Sequence, residues 1–107
     1  MLSKEQIEGI SRILDRNGKV GKAWLFGSFA RNEETLDSDV DILFAFKEGK
    51  SFGYLELFGI VNQLEALLHR PVEFIRAETL LPFVIESANS EKVLIYDCGL
   101  PVNQAVS

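Results

Sequence analysis

The sequence predicts an α/β domain, a small mixed β-sheet flanked by helices. Three observations carry that reading. Apolar residues recur at helical spacing from Ile7 to Leu14 and again from Leu55 to Leu68. Four short apolar runs bounded by turn residues read as strands: Val20 to Phe26, Asp39 to Phe46, Val72 to Ile75 and Val93 to Tyr96. Helical and extended segments alternate along the chain, the order expected when helices cover a sheet.

Each element has a local cause. Ser3 with Gln6 three residues later is a capping box, and Asn17-Gly18 supplies the stop for the first helix. Gly27-Ser28 turns the first strand into a short helix from Phe29 to about Asn32. A polar loop to Ser38 then leads into the second strand. Ser51 is placed to cap a longer helix ending near His69, with Leu55, Phe58, Val61 or Asn62, Leu64, Leu67 and Leu68 as its apolar face. Gly53 and Gly59 each weaken that helix by roughly 1 kcal/mol relative to alanine, which hints at close packing against something. Arg70-Pro71 ends it, because proline disfavours helix in the residue before it. His69 is better explained by a helix C-terminus than by catalysis. Glu78 and Thr79 open another helix to about Asn89, with Pro82 tolerable in its first turn. The last strand is expected at a sheet edge. Residues 1–98 thus form one domain, and 99–107 read as an extended tail.

Bulk properties narrow the function. The chain has 107 residues, 47% hydrophobic and 25% charged, enough for one core. Its N-terminus has no signal-peptide character, and its apolar runs fall well short of the roughly 20 residues that span a bilayer. The single cysteine, Cys98, excludes an intrachain disulfide and a cysteine-based zinc cluster. A cytoplasmic setting is expected. The net charge is −5, and the 11 basic residues are scattered. Proteins that grip nucleic acid by its backbone gather such residues into a patch, so direct nucleic-acid binding is disfavoured.

The chemistry-bearing pattern is Gly27-Ser28, then ten residues, then Asp39-Val40-Asp41. Two aspartates two apart on a strand leave the same face. At about 5 Å and an effective dielectric near 20 their carboxylates repel by roughly 3 kcal/mol, a cost that a cation between them reverses. Hard oxygen ligands suit Mg²⁺, which completes its shell with water and substrate phosphates. Gly27 lets backbone approach a phosphate, Ser28 offers a hydroxyl at a helix start, and Arg31 is in reach of phosphate oxygens. The Gly-Lys-Ser/Thr of a P-loop is absent, so ordinary ATPase chemistry is disfavoured. Trp24, Phe26, Phe44 and Phe46 are expected in the core. Phe52, Tyr54 and Phe58 suit core or partner contact better than stacking on a base. Cys98 has no activating neighbour in the sequence.

Gly27-Ser28-Phe29-Ala30-Arg31 through Ser38-Asp39-Val40-Asp41-Ile42-Leu43 resembles the active-site motif of the DNA polymerase β-type nucleotidyltransferase superfamily. With the short length, Arg70-Pro71-Val72-Glu73-Phe74-Ile75 is similar to its minimal branch, the MntA-type antitoxins paired with HEPN-domain toxins. The resemblance runs from Ala23 to about Tyr96 and implies the minimal nucleotidyltransferase fold. It also implies a third metal-binding carboxylate on a neighbouring strand, at Glu73, where family members commonly carry aspartate.

The resemblance implies a Mg²⁺-dependent enzyme that moves AMP from ATP to an acceptor hydroxyl. Asp39, Asp41 and Glu73 are the catalytic and metal-binding residues for two ions; Gly27, Ser28 and Arg31 are the nucleotide-binding residues. Nearly every segment is used in the sheet and its helices, so the acceptor is expected on another molecule. By resemblance that molecule is a HEPN ribonuclease toxin and the acceptor a tyrosine. Two other readings stay open: an antitoxin that neutralises its partner by binding alone, and a transferase acting on a small molecule.

Overall fold

The computed structural model describes residues 2–27, 29, 34–35, 38–77 and 92–99. Two helices and four strands follow in the order α1 (Lys4–Asn17), β1 (Val20–Phe26), β2 (Val40–Phe46), α2 (Tyr54–Leu68), β3 (Val72–Arg76) and β4 (Val93–Asp97). Of the helix expected after Gly27-Ser28 only Phe29 is described; the helix expected from Glu78 to Asn89 and the tail from Leu100 onward lie outside the described residues.

The helix α1 is capped as its sequence requires. Ser3 Oγ accepts from Gln6 N–H at 3.1 Å, Gln6 Oε1 accepts from Ser3 N–H at 2.9 Å, and Gly18 closes the helix at φ 78°. Its buried face is Ile7, Ile10, Ser11 and Leu14; Ser11 donates to Ile95 O at 2.9 Å, so its hydroxyl enters the core satisfied. α2 departs from expectation at its start. Gly53, not Ser51, is the N-cap, with no side-chain cap bond. His69 ends it in the left-handed region at φ 55°, its N–H on Glu65 O.

The buried face of α2 also differs from the expected one. Ile60, Leu64 and Leu68 are inside, whereas Leu55 is 91% and Phe58 57% exposed. A Cβ on Gly53 or Gly59 would meet nothing within 4 Å, so the expected close packing at these glycines is not found among the described residues. In the first turns of α2, Leu57 packs against the core while Leu55 and Phe58 stay exposed.

The sheet has the order β3-β2-β1-β4, with β2 antiparallel to β1, β1 antiparallel to β4, and β2 parallel to β3. It is mixed, and β4 is an edge as expected. Val40, Ile42, Phe44, Val72 and Phe74 all face the helices and join one core with Ile10, Leu14, Leu64 and Ile95. A period of two then turns Asp41 and Glu73 to the opposite face. Phe44 is a core residue as expected, and its ring stacks on Phe74 with centroids 4.2 Å apart. Trp24 and Phe26 are only half-buried and stand outside that cluster. The bulge between Val20 and Lys22 sets the strand's later alternation, putting Ala23 and Leu25 on the helix side instead.

Candidate active site

Strand register brings the acidic residues together. Asp41 is paired with Phe26 on one side and with Glu73 on the other. Phe26 is the last residue of β1, so the turn at Gly27 lies beside Asp41. A Cβ built on Gly27 would stand 2.5 Å from Asp41 Oδ2, and Gly27 has φ 73°. Only glycine satisfies both the left-handed backbone and the approach of the carboxylate. The glycine turn and the second aspartate are thus two halves of one feature, as their order in the sequence suggested.

Asp39 is exposed and precedes β2, which starts at Val40 rather than at Asp39. Its neighbours are nonetheless fixed. Val40 N–H donates to Pro71 O at 3.0 Å, and Ser38 O accepts from Arg70 Nη1 at 3.1 Å. Glu73 is exposed on β3, beside the half-buried Asp41. Ser28 and Arg31 lie outside the described residues.

The three ligands expected from the sequence, Asp39, Asp41 and Glu73, are all carboxylates, a set that would suit a hard divalent cation such as Mg²⁺ over a thiophilic metal. Among the described residues no three His, Cys, Asp or Glu side chains are drawn into a ready-made metal site. The observation that favours a cation is the register itself, which sets Asp41 and Glu73 side by side on neighbouring strands.

The aromatic residues fall elsewhere. A cavity of about 540 Å³ lies between α2 and the C-terminal ends of β2 and β3, lined by Phe44, Phe46, Phe52, Tyr54, Leu57 and Phe74 among others. It opens on the helix side, the reverse of the face carrying Asp41. Phe52 packs on Phe44 and Phe46, while the exposed Tyr54 and Phe58 stack on each other at 6.2 Å. Cys98 is exposed.

Sequence reasoning missed two supporting residues. Arg70 does more than end a helix and open the Pro71-Val72-Glu73 segment. Its Nη1 donates to Thr35 O at 2.9 Å as well as to Ser38 O, and its guanidinium carbon lies 5.1 Å from the Phe29 ring centroid. Glu65 Oε2 accepts from Val72 N–H at 2.9 Å, tying the end of α2 to the start of β3. The only sequence signal for either was nearness to the Pro71-Val72-Glu73 strand start.

A four-stranded mixed sheet with two helices on one side is the fold of minimal nucleotidyltransferases, and the family comparison agrees. Residues 8–98 match the polymerase β nucleotidyltransferase family model, and the chain belongs to that family. A Methanocaldococcus jannaschii protein described provisionally as a protein adenylyltransferase is 38% identical over 81 residues, 76% of this chain and 84% of that protein. Protein adenylyltransferase MntA of Thermococcus cleftensis is 34% identical over 100 residues, 89% of this chain and 98% of its own length. Among solved structures, a toxin–antitoxin with AMP-PNP aligns at TM-score 0.71 and 17% identity, over 90% of this chain and 74% of the other. A tri-AMPylated Shewanella oneidensis HEPN toxin in complex with its MNT antitoxin gives TM-score 0.65 at 15% identity, over 89% and 73%. At such identities the structures establish the shared fold.

Proposed function

We propose that this nucleotidyltransferase moves AMP from Mg²⁺-bound ATP to a tyrosine hydroxyl of a HEPN-domain toxin and so acts as its antitoxin. The observation that carries the reading is the register pairing of Asp41 with Glu73 beside the Gly27 turn. The names of the relatives and the AMPylated toxin in a complex of the same fold support it. Asp39, Asp41 and Glu73 are the residues to hold the cation, while Gly27, Ser28 and Arg31 are the residues to hold the triphosphate. A bound divalent cation neutralises charge on the attacking and leaving oxygens of an in-line displacement. The chain's own part is to present ligands from two strands and one turn at fixed separation. The acceptor oxygen bonds to the α-phosphorus, the α–β bridge breaks, the acceptor proton is shed and pyrophosphate leaves. Charge and bulk on the modified tyrosine then block the toxin.

The test is transfer of label from α-labelled ATP to a HEPN-domain partner encoded beside this chain. Wild type labels a tyrosine; Asp39→Asn and Asp41→Asn fold but transfer nothing measurable. Wild-type rates in both variants would remove the metal assignment. A second reading, neutralisation by contact, is favoured by the exposed Tyr54, Leu55 and Phe58 on α2. It predicts protection of cells with no AMP on the toxin.

A further inference from the structure

Asp39 precedes β2 and reaches the proposed site from outside the sheet. Among the described residues Asp39 has no ladder partner, and its side chain is exposed. Among the described residues the backbone on both sides of it is held by one dipeptide, Arg70-Pro71, at the entry to β3. On one flank Pro71 O takes the Val40 N–H; on the other Arg70 Nη1 takes Ser38 O, and also Thr35 O at 2.9 Å. Ser38 and Thr35 are themselves closed into a turn, Ser38 N–H on Thr35 O at 3.1 Å and Thr35 N–H on Ser38 Oγ at 2.8 Å. The guanidinium also lies over Phe29, two residues beyond Gly27. One side chain therefore touches both ends of the segment that joins the glycine turn to the aspartates. It stands three residues before Glu73.

We infer that Arg70 is a positioning residue for the proposed metal site, holding the backbone that carries Asp39 beside the strands that carry Asp41 and Glu73. This rests on the proposed adenylyl transfer. Arg70 acts through the carbonyls of Thr35 and Ser38 and makes no claim on the nucleotide. A guanidinium serves two carbonyls and an aromatic face at once, whereas the ammonium of lysine is a point charge with no plane to stack. Lysine is therefore a poor substitute despite its charge.

The experiment compares wild type, Arg70→Lys, Arg70→Ala and Asp41→Asn in three measurements: Mn²⁺ binding without nucleotide, AMP transfer, and thermal unfolding. Supporting ligand contacts of this kind are worth about 10- to 100-fold in metal affinity. Both Arg70 variants should lose at least about tenfold in Mn²⁺ affinity and in kcat, with KM for ATP within about twofold. Tens of millimolar guanidinium should recover part of the loss in Arg70→Ala, and ammonium should not. If wild type binds Mn²⁺ and transfers AMP while both variants match it, or lose activity only in step with unfolding, the inference falls and the proposed function stands. A raised KM for ATP with unchanged Mn²⁺ affinity also overturns it, since Arg70 would then act on the nucleotide. If wild type itself neither binds Mn²⁺ nor transfers AMP, the proposed function fails, and this inference with it.

Discussion

Gly27 is the residue on which the site geometry turns most sharply. Its φ of 73° and the 2.5 Å from a built Cβ to Asp41 Oδ2 mean that any side chain there meets two penalties. Left-handed backbone costs a non-glycine residue about 1–2 kcal/mol. The clash adds a displacement of the carboxylate, and a misplacement near 1 Å can cost roughly 100-fold in rate. Gly27→Ala should therefore lose far more transfer than its stability loss explains, read by kinetics alongside thermal unfolding. Wild-type rates in that variant would show that the turn and Asp41 do not share a function. Asp41 and Glu73 differ in burial though paired in register; Asp41 lies between two strands and Glu73 on the edge strand β3.

At the scale of elements, α2 carries two different jobs. Its later turns bury Ile60, Leu64 and Leu68, and its first turns leave Leu55 and Phe58 in solvent. Gly59 sits inside the helix with nothing within 4 Å of a built Cβ, so Gly59→Ala should stabilise the isolated chain by roughly 1 kcal/mol. A loss of stability on that substitution would mean the glycine serves a contact within the fold. The start of α2 is tied to the end of α1 and the start of β1 by Glu56, whose carboxylate accepts from Lys19 Nζ at 2.8 Å and Asn17 Nδ2 at 2.7 Å. Those two bonds, Lys19 first, hold the Glu56 carboxyl below its ordinary range. A lowered folded value means stability present above the unfolded value and lost as the pH falls through the folded one. The gap in Tm between wild type and Glu56→Gln should be constant near neutrality and close in acid, below the usual glutamate range. A gap unchanged by acid would show that charge is not what ties these elements.

For the whole molecule, what the sequence disclosed follows the range of the forces involved. α1 and its two caps, and β1 from Val20 to Phe26, were legible because capping and periodicity act within a few residues. The pairing of Asp41 with Glu73 was not, since 31 residues and a parallel crossover intervene and only the resemblance pointed to position 73. Arg70 was missed for the same reason: its partners Thr35 and Ser38 lie more than thirty residues away in sequence. The exposure of Leu55 and Phe58 was not legible, because periodicity reports an apolar face and not which of its residues are covered. Cells expressing the proposed HEPN-domain partner, together with the mass of that toxin, give the most direct test of the central claim, that this sheet face transfers AMP. With wild type and Glu73→Asp the toxin should be neutralised and carry added AMP. With Glu73→Gln the transfer rate should fall by orders of magnitude and protection with it, because a neutral amide neither binds Mg²⁺ well nor offsets its charge. Full protection by Glu73→Gln with no AMP on the toxin would contradict the account and leave neutralisation by contact.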